Sequence, residues 1–230
     1  MDVYRLLKLM SDRSSHNKRI AKNTLFLYLR MGLVLMVSLF STRVVLQALD
    51  IEDYGINNVV SGFVTIFAFL NTSMSNAVQR FYNFSLGRKS GYSIKDVYNT
   101  ALQIQGILAV TLLVPLETFG MWYIHTQMVI PIDRFAAAQW VFQFSVLSLV
   151  LLVLQIPYSA AIMAYEKMDY YAYLSIFDVL AKLGIAYVIK YTTFDKLILY
   201  GAFNMLVSLI CFFLYYGYAK CHFQDLKSDF

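Results

Sequence analysis

The stretch FAAAQWVFQFSVLSLVLLVLQIPY, residues 135–158, contains no charged side chain anywhere along its length. As an α-helix it would extend about 36 Å, because each residue adds about 1.5 Å to the helix length. The hydrocarbon core of a bilayer is about 30 Å thick, so roughly 20 helical residues cross it. Residues 135–158 therefore predict a helix that spans a membrane.

Five further apolar stretches of comparable length accompany this one, and charged residues lie mostly between them. Hydrophobic residues make up 59% of the chain and its mean hydropathy is +0.57, which excludes an ordinary soluble domain. Because the backbone must satisfy its own polar groups in lipid, each stretch is predicted to be a helix. The predicted fold class is therefore all-α, a polytopic membrane protein with six transmembrane helices. The predicted spans, in chain order, are Lys22–Leu49, Gly55–Gln79, Val97–Ile124, Phe135–Tyr158, Ala172–Lys190 and Lys196–Tyr218.

The basic residues are distributed unequally between the two sides that these spans define. Thirteen of the 19 lie on the side of the N-terminus, three lie on the opposite side and three lie inside spans. Loops rich in Lys and Arg stay in the cytoplasm, so we expect both termini there. Topology and contact with anionic lipid headgroups then account for the net charge of +5, and we expect no nucleic-acid partner.

The spans divide the chain into three parts. Residues 1–21 are predicted to be a cytoplasmic interfacial segment, an amphipathic helix that breaks at residues 12–17. Residues 22–218 form the transmembrane unit, and residues 219–230 form a cytoplasmic tail. The two cysteines of the chain imply neither a disulfide framework nor a metal site.

The fifth span contains two charged residues, Asp178 and Lys182, one helical turn apart on the same face. A charge at the bilayer centre costs about 2.5–3.5 kcal/mol. An ion pair between residues four apart on a helix returns only about 0.2–0.5 kcal/mol, too little to offset two desolvations. A self-neutralising pair without further function stays open, but the energetics favour a face that lines a wet cavity. Tyr171 and Ser175 extend this face.

Two arginines interrupt the first span. Arg30 shares a helical face with Asn23 and Ser41, which favours a position in the same cavity. Arg43 points away from that face near the outer boundary, where snorkelling to headgroups and a functional role are both open. If the first and fifth spans pack together, Arg30 and Asp178 are the expected ion-pair partners.

The second span has the densest polar pattern of the six. One continuous stripe along this helix is predicted from Asn58, Ser61, Thr65, Thr72, Asn76 and Gln79. Small and hydroxyl residues also serve as helix–helix contacts in membranes, an alternative that stays open for the serines and for Thr65. Asn76 and Gln79 are larger, and we predict that they line the cavity together with Asn71 and Thr72.

No residue pattern in the sequence indicates catalysis. There is no glycine-rich phosphate loop, no metal-ligand spacing and no nucleophile with a plausible base. We therefore expect neither an enzyme nor a cofactor. The inward-facing polar side chains suit the movement of a polar solute across the membrane.

Five segments of the chain together carry a resemblance to a known family of membrane proteins. They are KNTLFLYLRM at 22–31, STRVVLQAL at 41–49, EDYGI at 52–56, FLNTSMSNAVQRF at 69–81 and AYEKM at 164–168. Together they resemble the bacterial polysaccharide flippases, the O-antigen and capsule exporters of the multidrug/oligosaccharidyl-lipid/polysaccharide superfamily. The resemblance covers most of the chain and is strongest over residues 20–85.

This resemblance implies a protein of the bacterial inner membrane that exports a short oligosaccharide, linked to a polyprenyl pyrophosphate, for polysaccharide or lipopolysaccharide biosynthesis. Family members have two six-helix lobes around a cavity that opens alternately to each side. Arg30 and Lys182 are then the expected cations for the pyrophosphate, and Asp178 is expected to tune Lys182 or to couple ions. The chain matches the N-terminal lobe alone, so a second six-helix lobe is an expected partner.

Three alternatives stay open. A drug or cation antiporter of the same superfamily would favour carboxylates in its cavity, whereas these spans hold two better-placed cations against one carboxylate. A membrane-embedded glycosyl- or acyltransferase would need an acid–base pair that the short outer loops do not offer. The third alternative is a non-transporting scaffold half-protein, because the chain matches one lobe.

The predicted topology can be tested with reporter fusions. Fusions after Lys89 and after Lys220 should report a cytoplasmic position, and a fusion at Asp133 should report the periplasm. A cytoplasmic signal at Asp133 would contradict the assignment of the spans.

Overall fold

A computed structural model describes residues 2–87 and 93–223 of the chain, and these residues are almost entirely helical. A 3₁₀ turn, Ile66–Ala68, joins α1 to α2, and a π-helical turn, Leu116–Gly120, joins α3 to α4. The all-α prediction is confirmed for the described residues. The helices are α1 (Asp2–Thr65), α2 (Phe69–Leu86), α3 (Ile94–Pro115), α4 (Met121–Thr126), α5 (Phe135–Ala164), α6 (Met168–Lys190) and α7 (Lys196–His222).

Five helical stretches within the described residues are long and apolar enough to cross a membrane, as expected of a multi-pass membrane protein. They comprise Asn23–Leu86 and four later stretches that contain α3, α5, α6 and α7. The last four agree with the third to sixth predicted spans to within a few residues at most ends. The first stretch covers both of the first two predicted spans.

α1 is divided at Asp50, whose φ of 65° and ψ of 168° are not helical. This region of φ/ψ space is unfavourable for a residue with a side chain and persists where packing enforces it. The preceding Ala48 and Leu49 are each only 1% exposed, whereas Asp50 and Ile51 are exposed, so the bend is anchored by packing on one side only. Asp50 falls in the interval between the first two predicted spans.

The two arms of α1 follow different helices. In the first arm, Val44 and Leu49 pack with Ala186 and Ile189 of α6, whereas Arg30 lies near Ser175 at the start of α6. The first arm therefore runs parallel to α6. The second arm, residues 51–65, joins the apolar cluster of the first half of α5. Asp53 pairs with Arg134 just before α5, and Val78 of α2 packs in one cluster with Ile156 near the end of α5. The chain after Asp50 therefore runs in the direction of α5, opposite to the first arm.

α5 is the central helix of the described structure. It packs against α2, α3, α7 and the second arm of α1. Its alanines allow close helix approach, and Ala138, Ala160 and Ala161 are completely buried. This central position explains why residues 135–158 carry no charge.

Packed apolar clusters occupy both ends of the helices. We call the end with the turns at 127–134 and 191–195 the outer end, following the predicted orientation, and the opposite end the inner end. The inner cluster is rich in tyrosine and joins the end of α2, the start of α3 and the ends of α5 and α7. The outer cluster joins the second arm of α1 to α4, α5 and the start of α7. Between the two ends the buried apolar core continues along α5, for example at Leu149 and Val153, and polar side chains gather beside it.

Two predictions about the ends of the chain need comment. The break predicted at residues 12–17 is wrong, because α1 is helical from Asp2 onward. The side chains of the interfacial segment, and residues 224–230 of the tail, lie outside what the structure describes. α7 continues past the predicted limit at Tyr218 to His222, and Lys220 donates a 2.6 Å hydrogen bond to Tyr216 within this last turn.

Arg134 joins three chain segments at the outer end. Its Nε lies 3.3 Å from Oδ1 of Asp53, and its Nη1 lies 3.1 Å from Oδ2 of Asp195. Asp195 also caps α7 by accepting from the backbone N–H groups of Leu197 and Ile198. Asp53 lies in the interval between the first two predicted spans and is only 5% exposed. Burial raises the pKa of the Asp53 carboxyl above its ordinary value, and the Arg134 guanidinium acts in the opposite direction.

Replacing Arg134 by Gln should lower the free energy of unfolding of the purified chain at neutral pH by roughly 1–3 kcal/mol, because the buried Asp53 carboxylate loses its counter-charge. The deficit should shrink as the pH falls, since protonation removes the uncompensated charge. Thermal unfolding of R134Q and the unchanged chain, measured across pH, checks this.

The double variant R134Q/D53N should recover most of the lost stability, because it contains no buried carboxylate at position 53. Lys190→Gln, at an exposed position of the same end, is the matched control. Equal losses in K190Q and R134Q, or no recovery in the double variant, would show that the ion pair is not the cause.

Candidate functional site

A cavity of about 680 Å³ lies between the first arm of α1, α2, α5, α6 and α7. It occupies the middle of the structure, where the packed inner and outer clusters leave room for polar side chains. Its polar and charged lining residues are Arg30, Ser38, Asn71, Thr72, Ser75, Asn76, Gln155, Ser159, Tyr171, Ser175, Asp178, Lys182, Ser208 and Tyr215.

The cavity contains six of the seven residues that the sequence predicted for a substrate path. They come from three helices that are distant in sequence: α1, α2 and α6. The exception is Gln79, which lines a separate groove along the inner half of α2. The six are Arg30, Asn71, Thr72, Asn76, Asp178 and Lys182.

All the charged residues of the described lining come from α1 and α6, whereas α2 and α5 contribute only neutral ones. Arg30 from α1 and the pair Asp178 and Lys182 from α6 form one wall. The neutral wall consists of amides and hydroxyls, and its members are Asn71, Thr72, Ser75 and Asn76 of α2 with Gln155 and Ser159 of α5. One side of the cavity therefore suits a charged group, and the other suits an uncharged, hydroxyl-bearing one.

Arg30 is held at the cavity by side chains of α6. Its guanidinium carbon lies 4.8 Å from the centre of the Tyr171 ring, which is cation–π geometry. Its Nη1 lies 3.5 Å from Oγ of Ser175, a long hydrogen bond. Its Nε is buried without a hydrogen-bond partner among the described residues. Arg30 is thus oriented by an aromatic ring and keeps donor capacity for a ligand.

Lys182 donates a 2.9 Å hydrogen bond to Oδ2 of Asp178. The Sγ of Cys211 on α7 lies 3.9 Å from the other oxygen, Oδ1. The side chains of Lys182 and Asp178 are 41% and 30% exposed, and both line the cavity. This position matches the energetic argument that the pair faces a wet space.

The predicted ion pair between Arg30 and Asp178 is wrong. The first and fifth spans do pack together, as the prediction required. Arg30, however, lies beside Tyr171 and Ser175, while Asp178 pairs with Lys182 of its own helix. Lys182 lies one turn from Asp178 on the same helical face, so it can pair with the Asp178 carboxylate without any tertiary contact.

The predicted stripe on the second span is divided in the structure. Ser61 and Thr65 donate to the carbonyl oxygens of Asn57 and Gly62 of their own helix. The 3₁₀ turn Ile66–Ala68 then changes the helical phase before α2 begins. Thr72 and Asn76, which follow this turn, line the cavity. Ser61 and Thr65 lie before the turn and outside the cavity lining, and their hydroxyls bond within their own helix.

Sequence reasoning missed the contribution of α5 and α7. Gln155 and Ser159 lie four residues apart on α5 and face the cavity, and Ser208 and Tyr215 contribute from α7. Gln155 is one of three glutamines in the fourth predicted span, with Gln139 and Gln143, and nothing in the sequence distinguishes it from the other two. Arg43 is exposed and lies outside the cavity lining.

The cavity has the chemistry of a binding site for a ligand with an anionic part and a neutral polar part. Its lining has two cations and one carboxylate from α1 and α6, and amides and hydroxyls from α2 and α5. No family model, no curated protein and no solved structure matches the chain. Its function therefore has to follow from the chemistry of this cavity and from the residues that carry the resemblance.

Cysteine labelling tests whether these side chains face water. In a background without Cys211 and Cys221, the substitutions Asn76→Cys and Gln79→Cys should react readily with a small hydrophilic maleimide. Phe67→Cys is the control, since Phe67 packs against the outer cluster with its ring 6.3 Å from that of Phe63. A thiol in apolar surroundings is less often the reactive thiolate.

Labelling yields from membranes, compared with yields after denaturation, measure this difference. Equal labelling at positions 76 and 67, or none at either, would exclude an aqueous path along α2.

Proposed function

We propose that the chain is the N-terminal six-helix lobe of a flippase that exports a lipid-linked oligosaccharide across the bacterial inner membrane by alternating access. The cargo is an oligosaccharide on a polyprenyl pyrophosphate, used for cell-surface polysaccharide. The chain crosses the membrane six times with both termini in the cytoplasm. The observation that carries the proposal is the cavity with one charged and one neutral polar wall.

The two walls correspond to the two chemical parts of such a cargo. Arg30 and Lys182 offer charge-assisted donors to the pyrophosphate, and a guanidinium can bind two phosphate oxygens at once. The amides and hydroxyls of α2 and α5 match sugar hydroxyl groups, which both donate and accept hydrogen bonds. The polyprenyl chain stays in lipid, which explains why the cavity itself needs no long apolar channel.

The reversal at Asp50 supports six crossings. The two arms of α1 follow α6 and α5, which run in opposite directions. A single straight crossing by a 64-residue stretch is also excluded by length, since it would extend about 96 Å. The 13-to-3 distribution of basic residues supports the orientation.

A second six-helix lobe is the proposed partner that completes the cavity. Charged groups in a membrane face a bundle interior or a water-filled cavity rather than lipid. The first arm of α1 borders the cavity with Arg30 and presents exposed apolar side chains elsewhere, among them Met31 (65%) and Leu35 (61%). These two residues also line the cavity, so its rim continues into an apolar surface suited to another helical body.

The excess of cations separates this proposal from its alternatives. A cation antiporter needs carboxylates for its substrate, and the one carboxylate in the described lining is already paired with Lys182. A scaffold half-protein does not need a polar cavity with two cations. Loss of export on removal of a single cavity charge is therefore the discriminating result.

Lys182→Ala, in the full transporter or with the second lobe supplied, should abolish surface polysaccharide while membrane protein levels stay near normal. Lys182→Arg should retain partial export, because it keeps the charge. Lys190→Ala, at an exposed position of the same helix, should export normally. Surface polysaccharide and membrane levels are measured together.

The double variant Asp178→Asn/Lys182→Met separates binding from structure. If Lys182 only neutralises Asp178, removing both charges should restore export. If Lys182 binds the cargo anion, the double variant should stay inactive. Normal export by Lys182→Ala, or restored export by the double variant, would contradict the proposed role.

A further inference from the structure

A second polar space lies along α2 on the inner side of the cavity. It has a volume of about 600 Å³ and is separate from the main cavity except at one shared residue, Asn76. We call it the α2 groove. Its described lining residues are Asn76, Gln79, Arg80, Asn83, Phe84 and Gly87.

The groove follows a single face of the helix. Gln79, Arg80 and Asn83 lie three, four and seven residues after Asn76, the spacing of neighbours on one helical side, and Gly87 follows directly after the end of α2. From Asn76 to Gly87 this face extends about 16 Å toward the inner end. It continues the cavity-lining face of Asn71, Thr72 and Ser75 without a break in α2.

The side chains of the groove have a specific chemical character. Three are primary amides and one is a guanidinium, and no carboxylate is present among the described lining residues. Arg80, Asn76 and Asn83 are exposed rather than paired across a helix interface. Guanidinium and amide N–H groups are donors that match phosphate oxygens.

Aromatic residues flank this polar face. Phe84 is 50% exposed and lines the groove, and Phe81 is 64% exposed next to Arg80. Exposed phenylalanines beside a cation suit the boundary between headgroups and acyl chains better than bulk water. The groove therefore fits a molecule that combines an anionic, hydrogen-bonding head with an apolar tail.

We propose that the α2 groove is a second binding site, which takes the phosphate-bearing headgroup of a lipid from the inner leaflet before it reaches the main cavity. Arg80 binds the phosphate, and Asn83 and Gln79 bind adjacent oxygens. Asn76 lines both spaces, so a headgroup bound there can move from the groove to Arg30 and Lys182 in the cavity. The transfer into the cavity rests on the proposed flippase function, whereas binding in the groove does not.

Binding to the full chain in nanodiscs of zwitterionic lipid tests this site. The probe is farnesyl pyrophosphate, and the competitor is inorganic pyrophosphate. Arg80→Gln should weaken farnesyl pyrophosphate binding about tenfold, as expected for loss of a charge-assisted contact. The affinity of Arg80→Lys for farnesyl pyrophosphate should lie between those of R80Q and the unchanged chain. Arg43→Gln, an exposed arginine outside both spaces, should stay within about twofold of the unchanged chain.

Three results would overturn the inference. One is equal loss of affinity in R80Q and R43Q, which would indicate general surface charge. Another is that inorganic pyrophosphate binds as tightly as farnesyl pyrophosphate and depends equally on Arg80, which would indicate that the groove binds a free anion rather than a lipid headgroup. The third is no binding by the unchanged chain. Monodisperse elution and an unchanged unfolding temperature of R80Q exclude misfolding, as expected for an exposed position.

The export assay separates this inference from the proposed function. Arg80→Gln should slow export, whereas Lys182→Ala should abolish it. Binding that depends on Arg80, together with normal export by Lys182→Ala, would refute the flippase function and leave the groove intact. Loss of export by Lys182→Ala, with unchanged binding and export in R80Q, would refute the groove alone.

Discussion

The need to solvate or neutralise charges inside the membrane governs the middle of this structure. Arg30, Asp178 and Lys182 each carry a cost of about 2.5–3.5 kcal/mol if they face hydrocarbon. The parallel packing of α6 on the first arm of α1 meets this need for all three at once. It brings Arg30 to the Tyr171 ring and leaves the Asp178–Lys182 pair facing the same cavity. The polar faces of α2 and α5 then lie opposite, because these side chains also require a polar space.

The two ends of the helices hold that space open by being closely packed. At the inner end the tyrosine-rich cluster ties α2, α3, α5 and α7 together, and at the outer end apolar packing is reinforced by Arg134 and its two carboxylate partners. The polar side chains of α2 stay exposed from the cavity to its inner end. Among the described residues, packing and ion pairs join the helices at the outer end, while at the inner end a polar groove along α2 lies beside the tyrosine-rich cluster.

Much of this arrangement follows from local sequence, and the remainder depends on tertiary contacts. The apolar stretches locate the helices because length and hydropathy are local properties, and Asp178 and Lys182 identify the cavity wall because their cost in lipid does not depend on the fold. The phase change at Ile66–Ala68 moved Ser61 and Thr65 off the path that simple 100° periodicity predicts. The partner of Arg30 was mistaken because the relative height of α1 and α6 is set by packing around Val44 and Leu49. Gln155 was missed because only the position of α5 gives a single amide a role.

The two cavity cations differ in a way that matters for any anionic ligand. Lys182 is already paired with Asp178 at 2.9 Å, so an anion that approaches it has to share the ammonium with a carboxylate. Arg30 has no carboxylate within ion-pair distance among the described residues, and its contacts are a ring and a hydroxyl. For the proposed anionic cargo, Arg30 therefore offers donors that no carboxylate shares, whereas the ammonium of Lys182 is already shared with Asp178.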